Sequence, residues 1–114
     1  MIYVLPIMLF VGICLGKPNR HIYEKIPQVD IDEVLQNDDV LLHHFNCVME
    51  RSGCPDLVDE IKLIVPEIIQ TNCGMCTEEE KAVVKRVSHH VMENKPEMWK
   101  EFAEKYDPEG KFNL

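Results

Sequence analysis

A chain of 114 residues with a formal net charge of −8 is sized for one domain, and it makes a poor partner for nucleic acid or anionic lipid, both of which select cationic surfaces. The charge is unevenly placed: the first 16 residues carry none, and all 12 basic and 20 acidic side chains lie from Lys17 onward. No internal repeat or low-complexity tract divides the remainder.

The uncharged opening, MIYVLPIMLFVGICLG, reads as a cleavable secretion signal over 1–16, with the working domain over 17–114. Its apolar run from Ile2 to Leu15 falls short of the roughly 20 residues that span a bilayer. Pro6 would also disturb a spanning helix, so membrane insertion is not expected. Cys14 and Gly16 are small residues at the −3 and −1 positions of a cleavage site. Cleavage removes Cys14 and leaves an even set: Cys47, Cys54, Cys73 and Cys76. In the oxidising compartment that secretion implies, four such cysteines read as two bridges.

Lys17 to Val29, with Pro18 and Pro27 among polar residues, is expected to be an extended lead-in. Asp30 to Leu35 then reads as a short helix with acidic residues in its first turn, where they favour the macrodipole. Asn37 is placed to cap the next helix, in which Leu41, His44, Phe45, Val48 and Met49 recur at helical spacing. Ser52-Gly53 ends that helix, and Pro55 suits the first turn of a third, striped by Leu57, Ile61, Ile64, Val65 and Ile68. Pro66 cannot donate to the carbonyl of Lys62, so a kink or an early end is expected there. Thr77 and Glu80 have the spacing of a capping box that opens a fourth helix, with Val83, Val84, Val87 and Val91 on one side. Pro96 opens a fifth helix carrying Met98, Trp99, Phe102 and Tyr106, and Asp107-Pro108-Glu109-Gly110 stops it. No alternating run competes, so the fold class is all-α.

The cysteines fall in the pattern C-x6-C-x18-C-x2-C. With Asp30 to Leu35, Pro66 ahead of Cys73, Asn94-Lys95-Pro96-Glu97-Met98-Trp99 and Lys105 to Lys111, this spacing strongly resembles the insect chemosensory (OS-D-like) proteins over about Tyr23 to Phe112. The resemblance implies a compact bundle of five to six short helices around an apolar channel. It implies two local disulfides, Cys47 with Cys54 and Cys73 with Cys76. Three departures stand out. His44 occupies a position that is often a channel-lining Tyr. Ile26 replaces a Tyr of the N-terminal segment. After the Asp-Pro-x-Gly motif, where the family continues into a sixth helix, this sequence has Lys111 to Leu114.

Periodicity does not separate a filled interior from one that holds a ligand; only the resemblance turns part of the stripes into a channel. The side chains then expected to face a guest are Leu41, His44, Phe45 and Val48; Ile61, Ile64 and Ile68; Val84, Val87 and Val91; and Trp99. The implied function is a secreted soluble carrier of small hydrophobic molecules such as fatty-acid derivatives or semiochemicals. A secreted interaction or developmental factor on the same scaffold, with a receptor or other protein as partner, is the alternative. Cys73-Gly-Met-Cys76 also has redox-dithiol spacing, but no strand precedes it. The adjacent pairs His43-His44 and His89-His90 diverge by about 100° on a helix and do not converge on one ion. No nucleophile triad, phosphate loop or metalloenzyme motif is present, so neither catalysis nor a cofactor or metal is expected.

Overall fold

The computed structural model describes residues 20–114, so the secretion-signal reading of 1–16 lies outside the described residues. Among the described residues seven α-helical segments run in order: α1 Arg20–Tyr23, α2 Ile31–Gln36, α3 Asp38–Val48, α4 Val58–Ile61, α5 Val65–Thr71, α6 Glu78–Asn94 and α7 Pro96–Tyr106. Short 3-10 turns at Ile26–Gln28 and Lys62–Ile64 complete them, and no strand occurs among the described residues. Because α4, its 3-10 turn and α5 follow one another without a gap, they form one bent segment, which makes a bundle of six helical units.

Local chemistry sets the boundaries. The Asp30 carboxylate accepts from the Glu33 amide at 3.2 Å and starts α2. The Asn37 side chain accepts from the amides of Asp39 (3.0 Å) and Val40 (3.3 Å) and starts α3. Ahead of α6 the capping box is complete: Thr77 accepts from the Glu80 amide at 3.2 Å and Glu80 returns the bond to the Thr77 amide at 2.9 Å. Pro66 lies in the first turn of α5, where its missing N–H costs nothing, and the preceding 3-10 turn absorbs the change of direction.

Two expectations require correction. The segment before α2 is not an extended lead-in over the residues described, since Arg20–Tyr23 is helical and Ile26–Gln28 is a 3-10 turn. Ile22, Tyr23 and Ile26 are buried, so tertiary packing overrides the proline-and-polar pattern. The third helix begins at Val58 rather than at Pro55; Leu57 ahead of it has a left-handed φ of 74°, which delays the start.

Cys47 is joined to Cys54 and Cys73 to Cys76, with Cα separations of 4.9 and 5.2 Å. The first bridge ties the end of α3 to the loop before α4, and the second closes the turn between α5 and α6. Neither crosses the bundle, so helix packing depends on side chains. Those form two buried groups. Ile22, Tyr23, Ile26, Ile64, Ile68 and Cys73 make one; Val34, Leu35 and Leu41 make the other, with Val87, Val91 and Met98 against it. Ion pairs such as Arg86–Asp32 and Lys95–Asp38 (3.1 Å) tie helices at the surface, where such pairs contribute little.

Candidate functional site

Between the two buried groups lies a cavity of about 230 Å³. α3 supplies Leu41, His44, Phe45 and Val48 to its wall, and the bent α4–α5 segment supplies Val58, Ile61, Val65, Ile68 and Ile69. α6 adds Val83, Val84, Val87, Ser88 and Val91, and α7 adds Met98, Trp99 and Phe102. Ile26, Val29, Ile31 and Val34 close it from the N-terminal side, and Phe112 from the segment after α7. Each helix presents its apolar stripe inward, as amphipathic helices around a common interior do. The valines at 83, 84, 87 and 91 are only half-buried although they lie on the inward stripe of α6, and α7 has no fully buried residue at all. These stripes border the cavity as well as the buried groups they pack against.

The wall is apolar almost throughout. Its polar groups are the His44 ring, the Ser88 hydroxyl and the Trp99 indole N–H, and the first two are engaged with backbone. The His44 ring pairs through Nδ1 with the Val40 carbonyl at 2.9 Å, and the Ser88 hydroxyl donates to the Lys85 carbonyl at 3.1 Å. Among the described residues, no carboxylate or ammonium group lines the cavity. Trp99, half-buried, stacks against Phe102 (ring centroids 5.2 Å) and Phe112 (6.0 Å), and Phe102 continues the group to Tyr106 (5.0 Å). The Tyr106 hydroxyl donates to the Val48 carbonyl at 2.7 Å and fastens α7 to the end of α3. Burial pushes the Tyr106 phenol above its ordinary pKa.

Of the side chains expected to face a guest, Leu41, His44, Phe45, Val48, Ile61, Ile68, Val84, Val87, Val91 and Trp99 lie on the cavity wall. Ile64 does not: it is 0 % exposed and belongs to the group around Tyr23. The 3-10 turn at Lys62–Ile64 rotates it away from the α-helical register that placed it beside Ile61 and Ile68. Val58, Val65, Ile69 and Val83 join the cavity wall; Val65 and Val83 belong to the stripes read from the sequence, and Val58 and Ile69 stand at helical spacing beside them. Met98 and Phe102 were legible as neighbours of Trp99 on α7. Ile26, Val29 and Phe112 lie outside any periodic run; Ile26 stands out only as a departure from the family's Tyr, and no pattern points to the other two.

A helical bundle with local disulfides and a charge-free apolar cavity defines a class of small binding proteins. The sequence model of the insect pheromone-binding family A10/OS-D matches residues 22–114. Allergen Tha p 1 of Thaumetopoea pityocampa is 33% identical over 95 residues, covering 83% of this chain and 75% of its own. Ejaculatory bulb-specific protein 3 of Drosophila melanogaster is 29% identical over 102 residues, covering 90% and 81%. Among solved structures, a chemosensory protein in complex with bromo-dodecanol superposes with a TM-score of 0.72 at 36% identity, over 77% of this chain and 88% of its own. Antennal chemosensory protein A6 from the moth Mamestra brassicae gives 0.68, also at 36% identity, over 77% and 82%. The chain belongs to the insect A10/OS-D family of chemosensory proteins.

Proposed function

We propose that the protein is a secreted soluble carrier of small hydrophobic molecules, such as fatty-acid derivatives, semiochemicals and other lipophiles, in extracellular fluid. The observation that carries this reading is the cavity wall: about 230 Å³ bordered almost wholly by aliphatic and aromatic side chains, with the His44 and Ser88 side chains each bonded to a backbone carbonyl. Such a wall accepts an alkyl chain. An alkyl guest gains roughly 0.8 kcal/mol for each buried CH₂, so about a dozen methylenes leave several kcal/mol after the costs of immobilisation, near micromolar affinity. The related chemosensory protein complexed with bromo-dodecanol supports this class of guest. With so few polar groups in the wall, selection follows the length and shape of the chain more than its head group.

Secretion is supported by the uncharged 1–16 segment and by the two disulfides, which form in oxidising compartments. Two measurements test the whole reading. N-terminal sequencing of protein recovered from extracellular fluid should begin at or near Lys17; recovery of Met1 would overturn the signal assignment. Delipidated protein should release an apolar fluorescent probe to long-chain acids, alcohols and esters. If no lipophile competes below about 100 micromolar, the carrier reading fails and the outer surface becomes the place to look for function.

A further inference from the structure

Phe112 is buried, at 7 % exposure, without joining either packed group of the core. Its ring instead borders the cavity and meets Trp99. The segment that delivers it, Lys111–Leu114, has no regular structure, and polar clasps hold it across the bundle. The Asp107 carboxylate accepts from the amides of Lys111 (2.9 Å) and Phe112 (3.0 Å), which turns the chain back over the end of α7. Gly110 makes the reversal at a φ of +67°, a conformation that side-chain-bearing residues rarely adopt. Asn113 and Asn72 then exchange two hydrogen bonds: the Asn113 amide to Asn72 Oδ1 at 3.0 Å, and Asn72 Nδ2 to Asn113 Oδ1 at 2.8 Å. Finally, His89 Nε2 donates to the main-chain oxygen of Leu114 at 3.1 Å.

We propose that Lys111–Leu114 is a strap across the cavity and that the Phe112 ring is the wall element that sets the length of guest the cavity accepts. This deepens the carrier reading and rests on it. The strap differs from the helical parts of the wall. The helices are held by their own backbone ladders and by the buried groups, whereas the strap has no ladder and is held by two side chains, Phe112 against Trp99 and a partly buried Leu114 against the Tyr23 group, and by polar bonds that are exposed at Lys111 and Asn113 and part-buried at Phe112 and Leu114. Water competes well for the exposed bonds, so their net contribution is small. Local opening is cheapest where buried apolar contacts are few and backbone bonds are exposed. The strap is therefore the part of the wall that yields at least cost, and Phe112 is the side chain whose withdrawal adds space next to Trp99.

The test uses the full mature chain with n-alkan-1-ols from octanol to octadecanol, displacing an apolar fluorescent probe. Phe112→Ala should move the best-bound alcohol to a longer chain. Each added methylene that finds new space should tighten binding about three- to fourfold. Phe112→Trp should move the optimum to a shorter chain, and this variant keeps the test open if the alanine variant folds poorly. Asn113→Ala loosens the clasp but leaves the ring, so it should speed probe release while the preferred length stays where it was. Hydrogen exchange at the Phe112 and Asn113 amides should slow when dodecanol is bound. A wild-type chain-length optimum that neither Phe112 variant moves would overturn the strap proposal and leave the carrier reading intact. Absence of any alkanol binding to the wild type would remove both.

Discussion

The Tyr23 hydroxyl donates to the Glu67 carboxylate and so joins α1 to α5 across 44 residues of sequence. Tyr23 is 0 % exposed, and beside it the Arg20 guanidinium, 5.3 Å from the ring centroid, pairs with Glu80 at 3.0 Å. A four-residue turn too short to be stable alone is thus pinned by two side chains to two different helices. Ile26, which follows it, forms part of the cavity wall, so this anchorage helps to position the site.

Burial pushes the Tyr23 phenol far above its ordinary pKa of 10.0, and the hydrogen bond to Glu67 acts in the same direction, because the ionised phenol would face a carboxylate. A pKa raised in the folded state gives a contribution to stability that is fully present below the unfolded value, about pH 10, and is lost as pH climbs above it toward the folded value. Tyr23→Phe should therefore flatten the alkaline limb of the stability curve, measured by urea melts between about pH 8 and pH 11. At neutral pH it should cost about 1–2 kcal/mol, because Glu67 loses its donor. Tyr106→Phe, at a phenol raised by burial but bonded to a carbonyl, is the control for the general effect of losing a tyrosine hydroxyl. Identical alkaline limbs for wild type and Tyr23→Phe would show that Tyr23 ionises freely in the folded protein.

Glu80 links two devices in one side chain. One carboxylate oxygen closes the capping box of α6 and the other receives Arg20, and the residue is 3 % exposed. Thr77→Ala should cost about 1 kcal/mol, the usual worth of a helix cap. Glu80→Ala should cost about 3 kcal/mol, because it also leaves the Arg20 guanidinium without its carboxylate in a partly buried setting. The double variant should fall short of the sum, since both changes break the same reciprocal pair. Chemical denaturation of the four proteins measures all three terms. Equal losses for Thr77→Ala and Glu80→Ala would mean that the Arg20 bond adds nothing.

The helices were legible where the signal was local. Asp30, Asn37 and Thr77 each stand one residue ahead of a helix and Pro96 is the first residue of one, and each acts through bonds within a turn of itself or through its own ring. The stripes of α3 and α6 were equally readable, because period alone tells which side faces inward. What the sequence concealed depends on distant partners. Tyr23 is buried because Glu67 and Ile64 lie above it, and nothing near Tyr23 in sequence announces them. Ile64 was placed on the cavity wall by extending an ideal helix through a stretch that tightens to 3-10. Phe112 is an isolated aromatic in a loop, and its position depends on Asp107 and Asn72. The presence of a cavity was beyond the reach of periodicity and came to the sequence reading only through the family resemblance.

Because both disulfides are local, their removal should lower stability without dismantling the bundle. The closed-loop argument gives about 2–3 kcal/mol for Cys47–Cys54 and about 2 kcal/mol for Cys73–Cys76. Replacing either pair by alanine should lower the Tm while far-UV circular dichroism and probe affinity at 20 °C below the new Tm stay close to wild type. Loss of the helical spectrum in either variant under those conditions would show that a bridge organises the helices beyond its own loop.

Val87 and Ile64 make the sharpest contrast between wall and core. Val87 is half-buried on α6 and borders the cavity, whereas Ile64 is fully buried, away from it. Enlarging a side chain in a close-packed core forces strain of about 1–3 kcal/mol. Enlarging one that faces empty apolar space fills the space and commonly stabilises. Val87→Phe should therefore leave the Tm unchanged or raise it, while weakening dodecanol binding by at least about tenfold, equivalent to 1.4 kcal/mol. Ile64→Ala should do the reverse. It should cost about 2–5 kcal/mol of stability, because it deletes buried methyl and methylene groups within the Tyr23 group. Its dodecanol affinity, measured well below its Tm, should stay within about threefold of wild type, since Ile64 touches no guest in this cavity. Thermal melts and probe-displacement titrations of the two variants give the four values required. A Val87→Phe protein that melts several degrees lower and still binds dodecanol normally would mean that the space beside α6 is filled in solution and that the guest binds elsewhere.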